Sequence, residues 1–439
     1  MRSWRQVQLG QIADVRVSNV DKKTLPGEIS VQLCNYMDVY SNDYIRDHLP
    51  FMPASATIAE IARFKVECGD VLITKDSETP DDIGIPTVVV NEINNLVCGY
   101  QVALLKPNKS VVDPVYLCKQ LGRAESAGYF ARYAAGSTRY GLPMGAMMRT
   151  PIALAPLAQQ QKIAAILTTI DTAIEQTEAL IEKYQHIKAG LMHDLFTRGV
   201  LLTGQLRPPR EQAPELYQET AIGWIPREWR LSKAGDLCSL ITKGTTPASS
   251  EMWESSEGIR FLRVDNLTFD GRFDFTASSY RISDVTHTTA LSRSRCVAGD
   301  VLMNIVGPPL GKVSLVTPDV GEVNINQAIA VFRPAASLSS IYLLRWLLST
   351  GAKRWLLQRA KQTSGQLNLT LAMCQELEIP LPNIEEQGLM EMRLQVAEGL
   401  AQSEMTRLTK LQAQKLGLMQ DLLTGKVAVT TAGELAHGG

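Results

Sequence analysis

The chain has 439 residues, 45% of them hydrophobic and 20% charged, with a net charge of −1. That is a soluble globular composition with room for two or three domains. No apolar run approaches a bilayer-spanning length, and Met1-Arg2-Ser3-Trp4-Arg5-Gln6 lacks the apolar core of a signal peptide; a cytoplasmic location is expected. Seven cysteines without a Cys-x-x-Cys pair predict reduced thiols, with Cys98 and Cys118 as small core residues. The five histidines are scattered and make no metal constellation.

In chain order, Gly69-Asp70 introduces an apolar run at Val71–Thr74 that reads as a turn into a buried strand. Residues 86–90 and 102–105 read as further strands, and 116–122 as a helix. A proline-marked boundary at Pro156 opens a long helix. The same grammar returns in the second half. Gly299-Asp300 precedes Val301–Asn304, 329–332 reads as a strand, 341–349 as a helix, and a second long helix follows Pro382.

The recurrence is an internal duplication. Lys188-Ala-Gly-Leu-Met-His-Asp-Leu-Phe-Thr197 matches Lys415-Leu-Gly-Leu-Met-Gln-Asp-Leu-Leu-Thr424. Upstream, at an offset within two residues of that one, Trp4 matches Trp229, Ala103-Leu104-Leu105-Lys106-Pro107 matches Ala330-Val331-Phe332-Arg333-Pro334, and Val115-Tyr116-Leu117 matches Ile341-Tyr342-Leu343. Two equivalent halves imply a pseudo-twofold axis and a target with two equivalent parts.

Both long helices carry heptads. One row is Ile163, Ile170, Thr177, Tyr184 and Leu191; the other is Leu167, Ile174, Ile181, Lys188 and Leu195. The second copy is expected to use Leu389, Val396, Ser403, Leu411 and Leu418, with Arg393, Leu400, Leu408, Lys415 and Leu422, and one residue inserted after Ser403. Such stripes favour a partner helix, and polar breaks can set register. The simplest pairing is between the two helices, antiparallel, each about 50 Å long at 1.5 Å per residue. Polar breaks fall at Thr177 with Ser403 and at Lys188 with Lys415.

Catalytic signatures are missing. No Gly-x-Gly-x-x-Gly occurs. Gly307 to Val313 resembles a phosphate loop but has three residues between its glycines and Val313 where a Ser or Thr would meet magnesium. No Asn-Pro-Pro-aromatic motif is present, and the segment from Pro318-Asp319 to Glu322-Val323-Asn324 lacks a nuclease lysine. The chain reads as a binder.

Ile222-Gly223-Trp224-Ile225-Pro226-Arg227-Glu228-Trp229, the Pro156 and Pro382 segments with Gln161 and Glu385-Glu386-Gln387, Lys243-Gly244-Thr245-Thr246-Pro247, and the closing Leu-Met-x-Asp-Leu-x-Thr of each helix resemble the specificity subunits of type I restriction–modification systems. The first copy departs at its start, which lacks Gly-x-Ile-Pro. The resemblance implies a mixed α/β fold with two target-recognition domains, at 1–155 and 222–381. Two long helices, at 156–198 and 382–424, would pack as an antiparallel coiled coil that sets the spacing between the domains. A linker is expected at 199–221 and a disordered tail at 425–439. It implies a non-catalytic chain that reads a bipartite asymmetric duplex DNA site. Two methylation subunits would dock beside the helices, and restriction and translocation subunits would join them. S-adenosylmethionine, ATP and magnesium would belong to those partners, which carry out N6-adenine methylation and cleavage; this chain would bind no cofactor, metal or membrane.

DNA readers need cations for phosphates and Arg, Asn or Gln for base edges. Candidates in the first half are Lys22 and Lys23 in a polar turn, Lys75 beyond its strand, and Ser137, Thr138, Arg139 and Tyr140 in a glycine loop. In the second they are Lys243, Thr245 and Thr246, then Arg263, which sits in a polar patch with Asn266 and Arg272, then Asn304, and Gln366 and Asn368 in the loop corresponding to 136–140. The chemistry of that loop differs between copies, as two different half-sites require. The near-neutral charge predicts weak affinity of the isolated chain for DNA. The alternative from the same residues is a coiled-coil scaffold for protein partners that reads no DNA.

Overall fold

The computed structural model describes residues 4–307, 309–363 and 365–429. They form two compact units, residues 4–179 with 405–429 and residues 180–404. Each unit therefore holds one α/β domain and part of both long helices, Leu157–Thr197 and Ile384–Leu422.

In the first unit the main sheet runs Ala13–Val17, Val102–Pro107, Val71–Thr74, Pro86–Val89, Tyr44–Ile45. It is antiparallel except for its last pair. Val71, Leu72 and Ile73 are fully buried because one face packs on helix Pro114–Leu121 and the long-helix residues Ile163 and Leu167, and the other on a smaller sheet. That smaller sheet is Met52–Ala56, Ile29–Cys34, Leu96–Cys98. The second unit repeats the plan with Cys238–Lys243, Ile329–Pro334, Val301–Asn304, Val313–Leu315, and a smaller sheet of Trp253–Glu254, Tyr280–Ile282, Ile259–Leu262, Val323–Ile325.

Details recur with the folds. The Asp70 and Asp300 carboxylates each accept the N–H three residues upstream and pair with a cation on the neighbouring strand, Lys106 at 2.8 Å and Arg333 at 2.7 Å. The Tyr116 hydroxyl donates to Ala153 O and that of Tyr342 to Pro380 O. Cys98 and Cys118 are core residues.

The helices meet antiparallel within each unit. In the first, Asp171 pairs with Lys415 at 2.8 Å, while Ile163 shares a core with Leu422 and Leu423. In the second, Lys188 pairs with Glu398 at 2.6 Å, while Val200, just past the first helix, donates its N–H to Glu386 near the start of the second.

The expected heptad holds on the first helix, where every residue of both rows is buried or half-buried. On the second it needs correction. Val396 and Leu400 are 61% and 48% exposed, and Ser403 is exposed. The inward positions are Met390, Leu394, Ala397, Ala401, Glu404, Leu408, Leu411, Lys415, Leu418 and Leu422, an unbroken alternation with no inserted residue. Thr177 therefore matches Glu404, not Ser403. The offset of Lys188 and Lys415 already applies at the helix entrances. Gln160 and Gln387 are both fully buried. Gln160 Nε2 donates to Val111 O and Ala155 O and its Oε1 accepts Asp113 N–H; Gln387 does the same with Ser337 O, Pro382 O and Ser339 N–H.

The polar break explains itself here. Asp171 is held by Lys119 of its domain at 2.7 Å, by Lys415, and by the Tyr44 hydroxyl at 2.7 Å. Glu398 is held by Arg345 of its domain at 2.5 Å and by Lys188. One acid thus binds a domain cation and a cation of the facing helix.

Two expected loose segments are packed. In the 199–221 linker, Arg207 is buried in a fork with both carboxylate oxygens of Glu386, one of which, Oε2, also accepts Trp229 Nε1–H at 3.1 Å. In the expected tail, Val429 is buried in the first unit's core, so 425–429 belongs to the fold; residues 430–439 lie outside the described residues.

Candidate nucleic-acid interface

The candidate loops of the first unit gather at one edge of its main sheet, the one formed by the ends of its strands. Tyr100 N–H donates to Val20 O, Lys75 N–H to Gln101 O, and Leu142 N–H to Lys75 O. Asp76–Ser77 pairs with Tyr140–Gly141, with Tyr140 opposite Ser77. These bonds bring the turn at 21–23, Lys75 and the loop at 136–140 together. Gly136 has φ +147, and a Cβ there would lie 2.0 Å from Arg139 O, so the tight loop demands glycine. Its tip presents Ser137, Thr138 and Arg139 to solvent, with Tyr140 half-buried.

The cations at this edge are unequally available. Lys75 is tied to Asp76 at 2.8 Å with its side chain 17% exposed. Lys23 stands 3.7 Å from Asp21. Lys22 and Arg139 are exposed. Sequence reasoning missed Tyr36 and Tyr40, whose rings stack 5.4 Å apart. Burial raises the pKa of Tyr36, and Asp82 raises that of Tyr40, so both phenols keep their protons as donors at neutral pH. Only their spacing of one helical turn signalled the pair.

The second unit builds the same frame. Ile305 N–H donates to Ala328 O and Leu369 N–H to Ile305 O. Val306–Gly307 pairs with Gln366–Asn368, which pairs with Lys361–Thr363. The segment at 243–246 runs against 325–327 so closely that a Cβ at Gly244 would lie 2.0 Å from Ile325 O. Lys243 is exposed, Thr246 Oγ1 bonds Gln327, and Thr245 Oγ1 accepts from Arg293 Nη2 at 3.1 Å. Arg293 was not anticipated. Arg263 is exposed, with its guanidinium 5.6 Å from the Tyr280 ring centre. Gln366 is exposed and Asn368 half-buried. Ser364, in the same loop, lies outside the described residues.

Asn304 needs correction as a DNA contact at the rim. It is 1% exposed, and its amide is spent on its own loop. Nδ2 donates to Val306 O and Pro309 O, and Oδ1 accepts from Gly311 and Lys312 N–H. The matched Gly-Asp strands pair Thr74 with Asn304, and the frame pairs Lys75 with Ile305. Thr74 plays the matching part, accepting Ile85 N–H. Asn266 is likewise buried, bonding Arg263 N–H, Asp274 O and Ser278 O, so the expected patch with Arg272 is not one surface.

Among the described residues no group of three or more His, Cys, Asp or Glu is placed to hold a metal ion, and no helix is long and apolar enough to cross a membrane.

A family model described as the type I restriction modification DNA specificity domain matches the sequence twice, over residues 1–184 and 226–413. The type I restriction enzyme MjaVIII specificity subunit of Methanocaldococcus jannaschii is 24% identical over 429 residues, covering 97% of this chain and 93% of the relative. The putative MjaX specificity subunit of that organism is 24% identical over 377 residues, covering 85% and 81%. The crystal structure of a type I restriction–modification S subunit from M. genitalium superposes with a TM-score of 0.57 at 13% identity, covering 97% of each chain; that likeness speaks for the fold.

Proposed function

Because this chain belongs to the family of type I restriction–modification DNA specificity proteins, we propose that it selects the duplex sequence on which partner subunits act, each sheet edge reading one half of a split site. One observation carries this reading. The same hydrogen-bonded frame is built twice, and it presents different side chains: Arg139 and Tyr140 in one unit, Gln366 and Asn368 in the other. Arg suits guanine and Gln or Asn suits adenine in the major groove. Lys22, Lys23, Ser137 and Thr138 in the first unit, and Lys243, Thr245, Thr246 and Arg263 in the second, would hold phosphates and register. Lys75 contributes once Asp76 releases it. Family membership sets aside the scaffold that reads no DNA.

The chain performs no turnover in this proposal. Methylation subunits bring S-adenosylmethionine, and restriction subunits bring ATP and magnesium. A docking face is available on the second long helix, where Met392, Val396 and Leu400 are 60%, 61% and 48% exposed at successive i, i+4 positions and so form one apolar stripe. Mapping methylated adenines in cells holding the methylation partners, with and without this chain, tests the reading. A split motif that appears only with the chain supports it; an unchanged map refutes it. Saturable S-adenosylmethionine binding by the isolated chain would overturn the non-catalytic assignment.

A further inference from the structure

We infer that one face of the second unit's smaller sheet is a phosphate-binding surface for duplex DNA, contacted through Arg260 and Arg281. The inference rests on the DNA-reading role above. Arg260 and Arg281 stand directly opposite each other on neighbouring antiparallel strands, with Trp253 opposite Arg281 on the next strand. Directly opposed residues share a face. The alternate residues Ile259, Phe261 and Ile282 belong to the cluster around Leu291, so the arginines occupy the other face. Among the described residues neither guanidinium has a salt-bridge partner. Arg281 Nε donates to Ser255 O and Arg260 Nη1 to Val320 O. Arg260 also lies 4.6 Å from the Phe275 ring centre, and Trp253 is 40% exposed.

Like charges directly opposite destabilise a sheet, and the fold does not require them. Asn326 N–H donates to Leu262 O as Gly99 N–H donates to Cys34 O, which makes Arg260 equivalent to Gln32. Gln32 faces Pro53 across the ladder where Arg260 faces Arg281. The same sheet thus exists in this chain without the charges. Arg263 of the edge site follows three residues after Arg260 along the chain. Closely set guanidiniums without carboxylates fit the regularly spaced anions of a nucleic-acid backbone.

The test compares full-length wild-type chain with Arg260→Gln/Arg281→Gln and Arg260→Lys/Arg281→Lys. Binding to a mixed-sequence duplex is followed by fluorescence anisotropy between about 50 and 200 mM salt. The Gln variant is expected to bind more weakly and to lose about 0.9 per phosphate contact from the slope of log affinity against log salt. The Lys variant should keep that slope, and the Tm of the Gln variant should hold or rise as the opposed charges go. A folding defect lowers the active fraction without changing the slope, so the slope decides. An unchanged slope in the Gln variant overturns the inference, including in favour of an acidic protein partner on this face. Loss of sequence preference in the wild type would sink the proposed function instead, and that is read separately from binding to mixed DNA.

Discussion

Asp171 is 3% exposed and anchors the first unit's domain to its helices through Lys119, which is itself only 5% exposed. Removing one partner of a buried ion pair strands the other charge, at a cost of about 3–5 kcal/mol. Asp171→Ala is therefore expected to lower unfolding free energy by about that amount in denaturant titrations. Its counterpart Glu398 has a side chain 27% exposed, so water screens the loss and Glu398→Ala should cost less. Equal losses would show that the two clusters are not graded by burial. Asp43, half-exposed beside the first cluster, adds a pH dependence. Burial works against its charge, but Lys119 and Lys415 outweigh that and hold its pKa below the usual range. A carboxylate lowered on folding contributes stability that is complete above its unfolded pKa, about 3.9, and is lost as pH falls through the folded value. Below about pH 4 the wild type should lose stability faster than Asp43→Asn; parallel curves would remove Asp43 from the account.

At the scale of elements, the corrected register of the second helix separates residues that look alike in sequence. Leu394 is 1% exposed, so Leu394→Ala should cost about 2–5 kcal/mol. Val396→Gln and Leu400→Gln lie on the outer stripe and should change stability by no more than about 0.5 kcal/mol. The same two substitutions should weaken assembly with the methylation subunits, measured by co-purification. Large stability losses at Val396 or Leu400 would restore the original phase. The reason the sequence misled here is physical. The inward positions Ala397 and Ala401 are small, while Val396 and Leu400 one residue earlier are large, so hydrophobic periodicity alone follows the wrong stripe. Strands fared better: Val71–Thr74 and Val301–Asn304 are buried on both faces, and an unbroken apolar run after Gly-Asp has few other outcomes. The edge loops were legible through glycine, as at Gly136, because tight turns restrict residue choice. Arg260, Arg281, Arg293 and the Tyr36–Tyr40 stack were not, because strand register and loop approach bring them into place and neither is written as a local motif.

For the whole molecule, a net charge of −1 leaves little general attraction to DNA, and the proposed function assigns selectivity to the two edges. Each edge belongs to a unit with its own core. Substitutions confined to different units, without shared partners, act independently. Arg139→Ala should relax base preference in one half of the recognised site and leave the other half unchanged. Gln366→Ala should do the reverse, and the double variant should show both losses added together. A bidentate side-chain-to-base contact is worth about 1–3 kcal/mol of discrimination, enough to admit new bases at one position or a few. Sequencing methylated adenines selected from a random duplex pool by the assembled complex measures this directly. If either single variant alters both halves, or neither, Arg139 and Gln366 do not read bases, and the readers must be sought among the other groups at the same edges, such as Tyr36, Tyr40 and Arg293.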